Sequence, residues 1–219
     1  MGSSYLYPLT SKTYYYYGTL VNETPLRIGS GKGIGEKIDM PIIYSNGKPF
    51  IPGTSLKGAL RTEAERFVLQ EGRYKVYFPD TLTSIVTRKD ELKNVENCPT
   101  CLLFGAPHLF SRLSVYDLYV VGSYRISKRT STSINRVTGA QKQGSLYTME
   151  YVEPGASFNF QMSVKGIKLQ GSDDDIEAYM GKIVNHLIDV LKSGEFQLGS
   201  KKSSGFGKVI LKDLRTEER

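Results

Sequence analysis

The order of predicted strands and helices is the feature that most restricts the folds open to this 219-residue chain. Four segments are dominated by β-forming residues: 12–21, 113–121, 157–164 and 208–214. Apolar residues recur at helical spacing from about 54 to 70 and, most clearly, over 173–192. The predicted order is therefore strand, helix, strand, strand, helix, strand.

That order is typical of the α+β ferredoxin-like fold, in which two helices back an antiparallel sheet, as in a common RNA-recognition fold. Residues 71–97 are polar without a clear period, so they are interpreted as an insertion or flexible loop. The basic, hydroxyl-rich segment 123–144 predicts a projecting hairpin or mobile loop. We predict a single domain over 1–219, with inserted lid or thumb segments at about 71–112 and 123–150.

The amino-acid composition restricts the kinds of partner and the cellular location that can be expected. The net charge of +7 is compatible with a polyanion such as RNA or DNA, although basic proteins also exist that bind neither. No apolar run approaches membrane-spanning length, and the first residues lack a basic segment followed by an apolar one. These features predict a soluble, cytoplasmic protein. Two cysteines argue against a disulfide-built secreted scaffold.

The segment Ile51 to Arg61, IPGTSLKGALR, predicts a turn that opens directly into a helix. Unpaired backbone N–H groups and the helix dipole favour an anion at such a position. Lys57 and Arg61 are four residues apart, so both project from one face of the helix. The geometry suggests a phosphate backbone lying across the start of this helix.

Two glycine-rich segments, 29–35 and 199–207, lack the spacing of a dinucleotide fingerprint or a P-loop. Their lysines are Lys32, Lys37, Lys201 and Lys202. Glycine lets a backbone approach a sugar-phosphate chain closely, so these loops are candidates for nucleic-acid binding. The alternative is ordinary loops that need positive φ, with lysines pointing to water.

Few residues are suited to catalysis or metal binding. Asp39 lies just ahead of Pro41, where it is either a turn former or a catalytic acid. A chain with two histidines offers little for a paired-histidine nuclease. Cys98 and Cys101 have zinc-ligand spacing and His108 is a possible third ligand, but no fourth is apparent nearby. A redox role is not favoured because no helix is predicted after the pair. The alternative is two thiols, or a local bridge, that order a loop.

Four segments, taken together and in this order, resemble the RAMP superfamily of CRISPR-associated proteins: GSGKGIGEKIDMPIIYSNGKPFIPGTSLKGALR, CPTCLLFG, INRVTGAQKQGSLY and LGSKKSSGFGKV. The closest resemblance is to the repeated backbone subunits of type III effector complexes, the Csm and Cmr kinds. It extends over almost the whole chain.

The resemblance implies a modified ferredoxin-like, RRM-like core. Copies of the chain would stack as a filament along a guide RNA, together with other CRISPR-associated subunits. Seven residues would contact guide RNA or its duplex with a complementary target RNA, the last through a thumb-like hairpin: Ser55, Lys57, Arg61, Lys201, Lys202, Ser203 and Arg136.

By the same resemblance, Asp39 aligns with the aspartate that these subunits use to cut target RNA. Mg²⁺ or Mn²⁺ would be recruited with the RNA, because one carboxylate is too few ligands for a protein-only site. The incomplete cysteine cluster does not predict a structural zinc. The implied activity is a metal-dependent endoribonuclease that works within the assembled complex. The alternatives are a non-catalytic subunit that protects the guide and, more weakly because histidines are scarce, a CRISPR RNA maturation enzyme.

Overall fold

An antiparallel sheet organises the protein. The computed structural model describes residues 12–30, 38–78, 95, 97–106, 109–132, 134, 136–140, 146–172 and 175–219. The strands are β1 (Thr13–Asn22), β2 (Tyr44–Ser45), β3 (Lys48–Ile51), β4 (Leu113–Val115), β5 (Leu118–Val121), β6 (Ile126–Ser131), β7 (Tyr147–Val152), β8 (Ser157–Lys165) and β9 (Val209–Glu218). The helices are α1 (Gly53–Glu71), α2 (Pro99–Phe104) and α3 (Ile176–Ser193).

The main sheet has the order β2-β3-β5-β8-β1-β9, with β4 also paired to β8. Its consecutive strands β5, β8, β1 and β9 correspond to the second, third, first and fourth predicted strands. Each neighbouring pair among them is antiparallel. This arrangement confirms the predicted α+β ferredoxin-like fold.

Helices α1 and α3 supply the apolar layer on one face of this sheet. Leu56 and Leu60 of α1 and Ile183 of α3 are fully buried in the same core as Phe158 of β8. In α3, Asp175 caps the first turn by accepting the Glu177 N–H. Of the helices in the ranges above, none combines the length and apolarity needed to cross a bilayer.

The segment predicted as one strand over 113–121 is two short strands, β4 and β5. Between them Tyr116 still donates its N–H to the carbonyl of Gln161. Asp117 instead turns its carboxylate toward the start of α1. The strand is interrupted because this side chain serves the helix.

Helix α2 corrects the expectation that no helix follows the cysteine pair. Pro99 occupies its first position, and the sulfur of Cys98 accepts the N–H of Cys101 as the cap. All six helical residues are buried. A short buried helix has no polar face, so it lacks the periodicity by which a sequence reveals a helix.

Strands β6 and β7 pair as a separate two-stranded sheet. Only β6 lies within the segment 123–144, for which the sequence predicts a hairpin or mobile loop; β7 follows that segment. Ile126 pairs with Val152 and Ser131 with Tyr147. The base of this hairpin is held to the body through Leu26, which exchanges both backbone hydrogen bonds with Val152. The hairpin base is thereby fixed beside the segment that precedes the first glycine-rich stretch.

Candidate functional site

The start of helix α1 is packed against the β4–β5 connection. The N–H of Gly53 donates to the Asp117 carboxylate over 2.8 Å. A Cβ atom at Gly53 would lie 2.3 Å from the carbonyl oxygen of Val115, so only glycine allows this approach. The first N–H of the predicted anion site, that of Gly53, is therefore already bound by the Asp117 carboxylate.

Two predicted RNA contacts, Lys57 and Arg61, lie on the side of α1 that faces α2. The Lys57 ammonium donates to the Ser111 hydroxyl over 2.8 Å. Burial lowers the pKa of Lys57, and the charge of Arg61 lowers it further. Arg61 donates to the Glu65 carboxylate at 2.8 Å and to the Gly105 carbonyl at 2.9 Å. Both side chains thus have bonds within the protein.

These bonds predict a stabilising role for Arg61, whose side chain is only 17% exposed. Arg61→Gln should lower the free energy of unfolding by about 1–3 kcal/mol, because Glu65 loses its buried charged partner. Urea denaturation measures the change. Arg66→Gln is the matched control, because the Arg66 side chain on the same helix is 73% exposed and we expect a change within about 0.5 kcal/mol. Equal stability of the two variants would contradict the role.

On the other side of Leu56 and Leu60, α1 faces the second glycine-rich loop across an open groove of about 410 Å³. Residues that line the groove include Arg27, Ser55, Gly58, Thr62, Gly199 and Lys202. Two of the predicted RNA contacts, Ser55 and Lys202, therefore meet here. Helix α1 separates them from Lys57 and Arg61, because residues two positions apart project from different sides of a helix.

The second glycine-rich loop lies against the segment that contains Arg27. The N–H of Ser200 donates to the Arg27 carbonyl at 3.0 Å. Gly199 has φ +83°, and a Cβ there would be 2.3 Å from that same carbonyl oxygen. The next residues turn through a short 3₁₀ helix, Lys202–Ser204, and leave Lys202 and Ser203 exposed.

Asp39 is exposed, and its carboxylate is oriented by the hairpin. Its Oδ2 accepts the backbone N–H of Thr148 in β7 over 2.8 Å. The following residue, Met40, donates its N–H to the Thr148 carbonyl at 3.1 Å and accepts the N–H of Glu150 at 3.1 Å. The Asp39 segment is therefore held along β7 like an added strand.

The glycine-rich loop reaches the same strand one residue earlier. Lys201 donates to the Tyr147 hydroxyl over 3.2 Å, and its ammonium lies 5.3 Å from the centre of that ring. This hydrogen bond from Lys201 lowers the pKa of Tyr147. Asp39 and Lys201, far apart in sequence, thus contact consecutive residues of β7. Arg136 belongs to an exposed turn in the β6–β7 connection, outside the paired strands.

Few side chains of the candidate site could serve as metal ligands. Within the described ranges, no three His, Cys, Asp or Glu side chains are grouped closely enough to hold an ion. Asp39 alone fits a divalent ion only if RNA phosphates and water complete its shell. Cys98 and Cys101 are buried, and the hydrogen bond with the Cys101 thiol lowers the pKa of Cys98. His108, Lys32 and Lys37 lie outside the described residues.

Arg27 and Asp117 are residues of this candidate site that the sequence patterns did not indicate. Arg27 stands between Leu26 and Ile28, both buried, and is itself 5% exposed. A charge within an apolar segment is the signal that would have marked it. For Asp117 the signal is an aspartate within a run of β-forming residues, because aspartate is depleted in strands and marks an interruption.

Comparison with known proteins identifies the family of the chain. The sequence model of the RAMP superfamily matches residues 19–210. A Methanocaldococcus jannaschii protein named CRISPR system Cms endoribonuclease Csm3 is 27% identical in an alignment of 220 positions, which covers 90% of this chain and 78% of that protein. A Mycobacterium tuberculosis protein of the same name is 28% identical in an alignment of 224 positions, which covers 90% of this chain and 86% of that protein.

Proposed function

The chain belongs to the RAMP superfamily, and from this premise we propose that it is a guide-RNA-binding backbone subunit of a type III CRISPR complex that cleaves guide-paired target RNA. The names of its two relatives support a CRISPR endoribonuclease. The observation that carries the proposal is the exposed Asp39 carboxylate, oriented by the Thr148 N–H beside a lysine-bearing glycine loop.

Guide RNA would lie against α1 and the glycine-rich loop. Ser55 and Lys202 offer a hydroxyl and an ammonium to its phosphates from opposite sides of one groove. Lys201 and Ser203 of the same loop would add a positive charge and a hydroxyl group. Lys57 and Arg61 would contact RNA only where it passes to the other side of α1. The net charge of +7 favours association with a polyanion in any orientation. Copies of the chain stacked along one guide, with other subunits, would make a filament.

Cleavage would occur where the hairpin interrupts the pairing of guide and target. Arg136, in the exposed turn of that hairpin, would contact the duplex. The splayed target backbone then presents a 2′-hydroxyl to its own phosphate. Asp39 would accept the hydroxyl proton as the oxygen attacks phosphorus and the bond to the 5′ oxygen breaks. The products would be a 2′,3′-cyclic phosphate and a 5′-hydroxyl, whose oxygen takes its proton from water. Alignment of these atoms supplies most of the acceleration, because a single carboxylate is a weak base.

A divalent ion, Mg²⁺ or Mn²⁺, would be held by Asp39 together with RNA phosphates. It would supply neutralisation of the charge that develops on the phosphate. The contribution of the chain itself is the fixed direction of the carboxylate. The Thr148 N–H donates a hydrogen bond to the Oδ2 atom of Asp39, and this bond restricts rotation of the carboxylate.

The test is cleavage by the assembled wild-type complex. Complementary labelled RNA with Mg²⁺ or Mn²⁺ should be cut, and non-complementary RNA should remain intact. Removing the metal with a chelator should stop cutting while target binding, followed by gel shift, persists. Cleavage that continues at full rate after chelation would contradict the metal requirement.

The second candidate function is a non-catalytic subunit that assembles on the guide and protects it. One observation favours it: in the described part of the chain, Asp39 has no companion acidic, cysteine or histidine cluster that would hold a metal. A wild-type complex that binds complementary RNA but cuts none of it with either metal would establish this alternative.

A further inference from the structure

We propose that Arg27 supplies the buried positive charge of a phosphodiester subsite in the groove between α1 and the glycine-rich loop. This inference rests on the proposed RNA-binding function and deepens it. It adds a residue that neither the sequence patterns nor the family relationship assigned. The ligand is an internucleotide phosphate of a single RNA strand.

The first argument is the unbalanced charge of Arg27. This residue is 5% exposed and lines the groove. Its guanidinium donates to the Ser200 hydroxyl at 2.9 Å and to the Pro41 carbonyl at 3.4 Å. Both partners are neutral, and Nε is buried without a hydrogen-bond partner. No ion pair to Arg27 occurs among the described residues, although a buried cation normally has an anion beside it.

The second argument is the chemistry of the surrounding groove. Ser55, Thr62, Ser200 and Lys202 contribute hydroxyl groups and a second cation. No acidic residue is among the described residues that line it. At the start of helix α1 the Asp117 carboxylate already accepts the first N–H, that of Gly53, so the attraction comes from the side chains that line the groove. An anion entering the groove therefore meets hydroxyl groups and two cations, Arg27 and Lys202.

The size and lining of the groove favour binding of a phosphodiester rather than a base. The groove volume of about 410 Å³ lies within the range of about 300–1,000 Å³ typical of ligand sites. None of its lining residues in the described ranges is aromatic, so nothing there would stack on a base. Gly58 and Gly199 leave the backbone open to close approach. The subsite should therefore bind RNA irrespective of its sequence.

Arg27 also connects this groove to the candidate catalytic segment. One arm of the guanidinium holds Ser200 of the loop, and the other holds the carbonyl of Pro41, two residues beyond Asp39. A phosphate bound by Arg27 would sit on the same rigid frame as the Asp39 carboxylate.

The experiment measures binding of a fluorescent single-stranded oligoribonucleotide to the full chain by anisotropy across a salt series. Arg27→Lys keeps the charge but loses the planar fork, and Arg27→Gln loses both. We expect Arg27→Gln to weaken binding by about tenfold to a hundredfold and to reduce the salt slope by about 0.7. Arg27→Lys should restore part of the affinity. Lys212→Gln removes an exposed charge from the sheet face opposite the helices and should change affinity much less.

Arg27 is buried, so substitutions at this position could unfold the protein. A variant at a second position, Ser55, therefore tests the subsite independently. Ser55→Asp places a carboxylate in the groove near the start of α1, where a negative charge favours the helix. It should remain folded and lose RNA binding, whereas Ser55→Asn should retain it. Wild-type affinity and salt slope in both Arg27→Gln and Ser55→Asp would overturn the subsite but not the proposed function. A wild-type chain that binds no RNA, alone or with its partner subunits, would overturn the proposed function itself.

Discussion

Asp39→Asn should slow target cleavage by the assembled complex about a hundredfold to ten-thousandfold, the usual contribution of a positioned acid or base. Asparagine has the shape of aspartate, and its side-chain oxygen can still accept the Thr148 N–H. The variant therefore keeps the local geometry and removes only the negative charge. Guide retention and target affinity should stay near their wild-type values. Single-turnover cleavage of labelled complementary RNA measures the rate, and gel shift measures the binding.

Two controls make this result specific. Asp189→Asn removes an exposed carboxylate from helix α3 and should leave the cleavage rate unchanged. Asp39→Ala removes both the charge and the hydrogen bond to Thr148. A larger decrease in cleavage rate for Asp39→Ala than for Asp39→Asn therefore measures the contribution of that hydrogen bond, which orients the side chain. Cleavage at the wild-type rate by Asp39→Asn would refute the catalytic assignment. Loss of target binding along with cleavage would instead make Asp39 a structural residue of the hairpin base.

Gly53→Ala should destabilise the protein by about 1–3 kcal/mol. The added methyl would lie 2.3 Å from the Val115 carbonyl oxygen and 2.9 Å from the carbonyl carbon of Tyr116, both backbone atoms. Helix α1 must then move away from the β4–β5 connection and weaken the bond between the Gly53 N–H and Asp117. Urea denaturation at 25 °C, with the slope unchanged, measures the loss.

Gly58→Ala is the matched control, because it places the same methyl on the same helix with nothing within 4 Å. Alanine is a better helix former, so this variant should gain up to about 1 kcal/mol. A loss of stability in Gly53→Ala and a gain in Gly58→Ala would distinguish a steric clash at Gly53 from the general effect of alanine on helix stability. Similar stability of the two variants would show that close packing at Gly53 is unimportant. RNA affinity should fall for Gly53→Ala, because the start of α1 forms part of the groove.

Much of the architecture could be predicted because its signals are local. Helix α3 shows its apolar stripe directly, and its boundaries differ from the predicted ones by a few residues at most. The helix predicted at 54–70 is observed at Gly53–Glu71. The element order was sufficient for the fold class, since βαβ connections allow few topologies. Helix α2 was missed, because six buried residues carry no amphipathic pattern.

The candidate site was predicted only in part. Asp39, Ser55, Lys201 and Lys202 were named from residue type and family resemblance, and the structure gives each a surface or groove location. For Lys57 and Arg61 the charge was evident, but their bonds to Ser111, Glu65 and Gly105 were not. Helical spacing defines which side chains share a face and leaves open what packs against it. Their proposed contact with RNA remains a prediction.

By itself, the amino-acid sequence determined the four main strand segments, the two long helices, their order and the positive charge, because these depend on neighbouring residues and composition. Only the tertiary structure decided which polar groups meet. Asp39 and Thr148 are 109 positions apart, and Arg27 and Ser200 are 173 apart. Sheet pairing and the return of the last loop bring them within hydrogen-bonding distance. Burial then distinguishes Arg27, which forms no ion pair with any residue that the structure describes, from the exposed lysines that it resembles in sequence.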